Sequence, residues 1–349
     1  MFRVVLIEHG YASAEVERRI IESAGGEFID AEKLPLSKAL DLCRDADGIL
    51  FRRIDMTGDM IRQFRKCRII VRYGIGTDNV DVQAATDANI IVGHVPSYCI
   101  DEVSTHAVAL LLACARKVVA THKRMEQGGW DVHRDDPIFR LAGRTVGIIG
   151  LGNIGRAVAR KFGGWNVKLL ASDPFVSPEI AQQLGVELVD FETLCRSSNF
   201  ISLHCPLLSE TRRLINAKSL SWMRPAATIV NTARGPVVDT SALLEAVDSG
   251  QLACAALDVF EQEPLPPDSP LRKHPRIIVS DHTAWYSEES QAELQRTAAE
   301  EIARVCTGRL PRSVANPQVI ERLGRMKEWQ PADNMIWQLK RLRALGKPA

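Results

Sequence analysis

Arg234, Glu263 and His282 stand out by residue type and by position. Each follows a short apolar run, Thr228–Val230, Cys254–Leu257 and Ile277–Val279 respectively, so three side chains of complementary chemistry leave the ends of three strands. An imidazole changes charge close to neutral pH and therefore serves as proton donor or acceptor. A carboxylate hydrogen-bonded to it favours its protonated form. A guanidinium offers a planar fork of donors that suits a carboxylate and polarises a neighbouring carbonyl as charge develops on oxygen. Together the trio points to proton transfer at an oxygen beside a bound carboxylate, and it requires no metal.

A second constellation is Gly150-Leu151-Gly152-Asn153-Ile154-Gly155, which follows the strand-like run Thr145–Ile149 and opens a helical pattern over Ile154–Phe162. In that setting Gly150 makes a tight turn, Gly152 lets the backbone approach a pyrophosphate, and Gly155 allows close helix–strand packing. The next strand, from Val167, leads to Asp173, placed to accept hydrogen bonds from ribose hydroxyls. A carboxylate there repels a ribose phosphate, which favours NAD over NADP. The bland alternative is a glycine turn with an unrelated surface aspartate.

These residues need elements to position them, and the chain supplies two series. Phe2–Ile7, Gly48–Phe51, Arg68–Val71 and Ile90–Val95 alternate with amphipathic stretches Ala14–Ala24, Met60–Arg65 and Val80–Ala88. The second series runs through Thr145–Ile149, Val167–Leu170, Phe200–Leu203, Thr228–Val230, Cys254–Leu257 and Ile277–Val279. Strands separated by helices cannot pair as hairpins, so each series builds a parallel sheet with helices on its faces. In such a sheet ligands bind at the carboxyl rim, where the trio and the glycine turn both fall. Between the series, Glu102–Lys117 reads as a helix buried around most of its circumference. From His122 to Gly143 the periodicity dissolves into a charged stretch, expected to be an arm that packs on a neighbour. After a helix from Ser287 to about Cys306, the basic segment 321–349 has Met335, Leu339, Leu342 and Leu345 at helical spacing.

Composition bounds the rest. With 349 residues, two domains are expected. Apolar residues make up 46% and charged residues 25%, as in a globular chain. Forty-four basic against 43 acidic residues leave a net charge of +1, without the bulk attraction of a nucleic-acid or anionic-membrane binder. The longest apolar run, Ala107–Ala115, is far short of a membrane span, and the start of the chain meets a charge too early for a secretory signal. The eight cysteines include no C-x-x-C pair, so neither a disulfide framework nor a zinc site is expected. Cytoplasmic residence is the default.

The glycine turn and Asp173 are joined by His204-Cys205-Pro206-Leu207, Asn231-Thr232-Ala233-Arg234-Gly235, Asp258-Val259-Phe260-Glu261-Gln262-Glu263-Pro264 and Asp281-His282-Thr283-Ala284-Trp285. In order and interval these resemble the D-isomer-specific 2-hydroxyacid dehydrogenases over about residues 1 to 310, and His282–Glu288 looks most like the C-terminal-binding-protein branch. The resemblance implies an α/β fold with a Rossmann dinucleotide-binding domain (102–287, with a dimerisation arm at 122–143) inserted into a flavodoxin-like substrate domain (1–101 plus 288–320), followed by a tail at 321–349. It implies a homodimer that uses NAD to reduce a small 2-oxo acid or oxidise the 2-hydroxy acid, with no nucleic-acid or membrane partner. His282 would be the acid–base, Glu263 its partner and Arg234 the carboxylate clamp.

Carried over residue by residue, cofactor contacts fall on Gly150, Gly152, Asn153, Ile154, Gly155, Asp173, His204, Cys205, Pro206, Thr232, Ala233, Arg234, Asp258 and His282. Substrate contacts fall on Tyr73, Gly74, Ile75, Gly76, Tyr98 and Trp285, with Ile75 and Gly76 binding a carboxylate through their amides. The alternative for residues 73–76 is an ordinary tight turn, and Trp285 is equally a core residue. Where many members place a threonine near the cofactor, this chain offers Ala107, beside Thr105 and His106. Three rivals share the scaffold. They are an NADH-responsive, corepressor-like binding protein, a phosphoglycerate or phosphite dehydrogenase, and a formate dehydrogenase, the last disfavoured because its relatives carry an amide where this chain has Glu263.

Overall fold

The apolar runs pair in parallel throughout, in two separate sheets. The computed structural model describes residues 1–130 and 137–322, and the chain divides into two units, Met1–Tyr98 with the segment from Ser287 onward, and Cys99–Tyr286. The divisions at Tyr98/Cys99 and Tyr286/Ser287 fall slightly N-terminal of the junctions expected from the sequence. Residues 131–136 of the expected arm and residues 323–349 of the tail lie outside the described residues.

The first unit contains β1 (Phe2–Glu8), β2 (Gly26–Asp30), β3 (Gly48–Phe51), β4 (Ile69–Arg72) and β5 (Ile91–His94), in the order β2-β1-β3-β4-β5. This is the flavodoxin-like winding, whose switch point lies between β1 and β3. The second contains β6 (Thr145–Ile149), β7 (Lys168–Ser172), β8 (Val186–Leu188), β9 (Phe200–Leu203), β10 (Ala227–Asn231), β11 (Leu252–Leu257) and β12 (Ile277–Val279). Its order, β12-β11-β10-β9-β6-β7-β8, is the Rossmann winding with one further strand, and the switch point lies between β6 and β9. Both faces of this sheet are buried. Val146, Ile148, Val230 and Ala256 pack on one side, and Ile149, Ile201, Ile229 and Ala255 on the other, as expected for a parallel sheet covered twice by helices.

Four features depart from the sequence reading. β2 and β8 were not among the expected strands; both are edge strands with mixed burial, so neither carries a continuous apolar run. Helix Leu36–Cys43 was likewise unread. Helix Ile100–Ala115 is fully buried along one stripe, Val103, Ser104, Ala107, Leu110, Leu111 and Cys114, which packs on the sheet and on helix Asn153–Lys161, and it leaves Asp101, Thr105 and Ala109 exposed on the opposite side. Lys117, at φ +54°, then breaks the axis, and a second helix, Val118–Glu126, replaces the irregular start expected at His122, with His122 and Glu126 paired one turn apart at 3.4 Å.

Among the described residues no single helix is long and apolar enough to cross a membrane. Ile100–Ala115 and Val118–Glu126 pass only as a bent pair, and the first buries its apolar stripe against the sheet of its own unit.

The edge of β5 is closed by the chain's own later segment. Ala315 N–H donates to Val92 O at 2.8 Å, and the Asn316 side chain accepts from Val92 N–H at 2.8 Å while donating to Ile90 O at 2.9 Å. Asn316 is fully buried, so losing its amide leaves backbone groups unpaired in the interior. Asn316→Ala is expected to destabilise the protein by roughly 1–3 kcal/mol, read as a lowered thermal midpoint; an unchanged midpoint would contradict this role.

Candidate active site

At the end of β10, Asn231 is fully buried and organises the turn that carries Arg234. Its side chain accepts from Ala233 N–H at 3.0 Å and donates to Arg234 O at 2.9 Å. The loop then presses against the one that follows β11. A Cβ built on Gly235 would lie 1.8 Å from the carbonyl carbon of Phe260, so only glycine permits this approach. The contact sets Arg234 near Glu263, whose Oε1 accepts from Phe260 N–H at 2.9 Å and whose Oε2 lies 2.5 Å from His282 Nδ1.

Burial pushes the Glu263 carboxyl up, but the hydrogen bond and charge of His282, the Phe260 N–H and the Arg234 guanidinium outweigh it and hold the group below its ordinary value. Glu263 is therefore a carboxylate through the neutral range. Its bond to Nδ1 leaves Nε2 as the nitrogen that can carry a proton to a ligand.

His282 sits at φ +57°, a left-handed conformation uncommon for a residue with a side chain. The turn is held by Asp258, 1% exposed, which accepts from Thr283 N–H and Ala284 N–H at 3.0 Å each and from the Ser280 hydroxyl at 2.6 Å. The resemblance placed Asp258 among the cofactor contacts. The bonds seen here are to the histidine's own loop.

The glycine turn has the geometry its spacing predicts. Gly150 lies at φ +88° with its Cβ position 2.7 Å from Cys205 N, and a Cβ on Gly155 would be 2.1 Å from Gly150 O. Gly152 by contrast has nothing within 4 Å of its Cβ position. It N-caps the helix Asn153–Lys161, which has no side-chain cap, so the first-turn N–H groups begin at an open space. Asp173 reaches this loop. One carboxylate oxygen accepts from Leu151 N–H at 2.8 Å and the other from Phe175 N–H at 2.9 Å.

Across the switch point, His204 follows β9 and Thr232 follows β10, on strands paired at Leu203 and Asn231. Burial pulls His204 down to about 3, so its ring is neutral; Nε2 lies 2.8 Å from Ser202 Oγ, while Nδ1 and Thr232 Oγ1 are buried without a protein partner. Buried polar atoms of this kind call for a partner. Open space at an uncapped helix start beside unpaired polar atoms fits a dinucleotide's pyrophosphate and polar head. Cys205 is a buried thiol pushed up to about 12 by desolvation, hence no thiolate, and Pro206 is exposed. Among the described residues no group of three or more metal-ligating side chains is gathered.

Of the remaining predicted positions, all but Trp285 follow strands of the first unit's sheet, and Trp285 lies beyond β12 in the second unit. Tyr73 is buried and donates its hydroxyl to the buried Glu17 at 2.7 Å, so its polar atom is committed inside its own unit and supports the loop from beneath. Gly74 lies at φ +136°, its Cβ position overlapping the Arg72 side chain. His94, pulled down to about 4 by burial, donates Nδ1–H to Ile75 O at 2.7 Å. Ile75 and Gly76 are partly exposed at the tip, and Tyr98 is buried. Trp285, partly exposed, stands edge-to-face with Tyr286 at 5.5 Å. The sequence reading did not assign roles to Asn231 or Ser280. An asparagine after a strand signals a side-chain-closed turn, whereas nothing in the sequence ties Ser280 to Asp258.

Residues 108–284 match the family described as D-isomer specific 2-hydroxyacid dehydrogenase, NAD binding domain. Among curated relatives, D-3-phosphoglycerate dehydrogenase of Methanocaldococcus jannaschii is 37% identical over 91% of this chain, which spans only 61% of that protein's length. Glyoxylate reductase of Korarchaeum cryptofilum is 36% identical, covering 83% of this chain and 89% of the relative. Among solved structures, a glyoxylate reductase from Paecilomyes thermophila superposes with a TM-score of 0.82 at 26% identity, over 91% of this chain and 99% of that one.

Proposed function

Because this chain belongs to the D-isomer-specific 2-hydroxyacid dehydrogenase family and carries its NAD-binding domain, we propose that it catalyses reversible reduction of a small 2-oxo acid by NADH. The observation that carries this reading is the His282–Glu263 pair, set near Arg234 at the rim of the sheet that holds the glycine turn.

When bound, NADH supplies the hydride that arrives at C2 of the substrate. The chain's own residues do the rest. Arg234 holds the substrate carboxylate and draws electron density toward the carbonyl oxygen. His282 delivers a proton from Nε2 to that oxygen in reduction and removes it in oxidation. Glu263, kept anionic by its neighbours, fixes the ring through Nδ1 and balances the imidazolium. Asp173 would accept hydrogen bonds from the adenosine ribose hydroxyls, and the open turn at Gly152 would take the pyrophosphate. The amides of Ile75 and Gly76, at the tip of a turn in their own unit, are suited to binding a carboxylate.

A 2-oxo acid with an apolar or thioether tail is one preferred substrate class, since Trp285 puts an apolar ring three residues from His282, and glyoxylate is another, supported by the likeness to a glyoxylate reductase. Phosphoglycerate is the second reading, supported by the 37% identity to a phosphoglycerate dehydrogenase. The C-terminal-binding-protein likeness of His282–Glu288 leaves a third, an NADH-responsive binding protein. A homodimer belongs to the proposal, supported by the exposed Val118 and Met125 on helix Val118–Glu126 and the exposed Trp130 and Phe139 further along the chain. Cytoplasmic residence belongs to it too.

Purified protein is expected to oxidise NADH with glyoxylate, pyruvate, hydroxypyruvate or 4-methylthio-2-oxobutyrate, and His282→Ala to lose roughly 10²–10⁴-fold in kcat while still binding NADH. Tight NADH binding with no turnover on any of them, or on 3-phosphohydroxypyruvate, would instead favour the binding-protein reading. NADH should be preferred to NADPH, and Asp173→Ala should narrow that preference; equal use of both by the unmodified protein would count against the role given to this carboxylate. Sedimentation velocity should show a dimer that Trp130→Ser combined with Phe139→Ser weakens, and a monomer in the unmodified protein would remove the dimer from the proposal.

A further inference from the structure

The bonds around Asp258 do not end at the His282 loop. Ser280 gives its only hydroxyl proton to Asp258 Oδ1 at 2.6 Å, which leaves its oxygen to accept. The group facing that oxygen is His106 Nε2, at 3.1 Å, on the helix Ile100–Ala115; it also lies 3.7 Å from Asp258 Oδ1. With the serine proton already given away, His106 must carry a proton on Nε2, as the neutral Nε2–H tautomer or as the imidazolium. The helix is itself fixed, because Ala107, Leu110, Leu111 and Cys114 pack with Val230 of β10 and Ala256 of β11.

We propose that His106 is a positioning residue for the acid–base histidine, acting through Ser280 and Asp258. The helix supplies a rigid reference, and His106 closes off the other orientations of the Ser280 hydroxyl. The serine and the Thr283 and Ala284 amides then share one carboxylate whose place is fixed from both sides. Thr283 is the residue immediately after His282, so an amide pinned there maintains the left-handed turn at φ +57° and with it the direction of the imidazole. His106 touches neither His282 nor Glu263 in this network; its effect reaches them through the backbone.

The proposal rests on the acid–base role given to His282, and its test separates the two. His106→Ala, His106→Gln, Ser280→Ala and the double variant His106→Ala/Ser280→Ala would be made in the full chain. Three quantities would be measured: kcat with glyoxylate and NADH, the Kd for NADH, and amide hydrogen exchange over residues 280–286. His106→Ala and Ser280→Ala are each expected to lower kcat about ten- to hundredfold, with NADH affinity within about twofold and faster exchange at Thr283 and Ala284. Gln presents an N–H donor and should restore most of the activity, and the double variant should be no worse than Ser280→Ala alone, as expected of groups acting in one chain.

Unchanged exchange in both single variants, or a His106→Gln protein no better than His106→Ala, would overturn the proposal. If the unmodified protein reduces no 2-oxo acid, the functional reading falls, while the exchange measurement still decides whether His106 holds the loop.

Discussion

A carboxylate taken out of water has to be met by donors, and Asp258 is almost completely out of water. It lies just beyond β11, and its donors come from the chain that follows β12: the Ser280 hydroxyl and the amides of Thr283 and Ala284. Satisfying one buried charge therefore ties the ends of two neighbouring strands together and compels the residue between those donors, His282, into a backbone conformation it would not adopt unaided. The catalytic geometry follows from an electrostatic obligation. Glu263 completes it on the other side of the ring, held anionic by the groups it contacts.

The loops around this point divide into tight and open ones, and glycine marks both. Gly235 and Gly155 are places where backbone meets backbone, and Gly150 turns the chain hard against Cys205. Gly152 is the opposite case, a residue with empty space in front of it at the start of a helix. The same residue type thus closes the protein's internal joints and leaves one gap at the switch point, where the chain leaving β6 and the chain leaving β9 part from two paired strands and a long anionic ligand has both room and amide donors.

Much of this was legible in the sequence because it depends on local order. A parallel strand buried on both faces writes a continuous apolar run, and the residue after the run is at the rim by construction, which is how Arg234 and His282 were found. The edge strands β2 and β8 were not legible, since their burial is mixed and neither writes such a run. Residue type also says little where burial commits a side chain to a distant partner. Tyr73 lies in the loop that resembles a substrate loop, and its hydroxyl is bonded to Glu17, a carboxylate far away in sequence, a partnership no local pattern shows. His106 and Ser280 were opaque for the same reason, because their partnership spans 174 positions and no local pattern encodes it.

The closure of β5 by residues 314–316 bears on how the polypeptide matures. The unit Cys99–Tyr286 is one continuous stretch, whereas its companion is discontinuous and draws helix Glu288–Cys306 against β3 and β4. A chain emerging from the ribosome thus finishes its nucleotide-binding portion while the earlier sheet still waits for its covering helix and for the segment that seals its border. During that interval the unsealed border of β5 presents unpaired amides and carbonyls. Chaperones or aggregation partners would find this nascent chain vulnerable there, until residues 314–316 arrive and pair with β5.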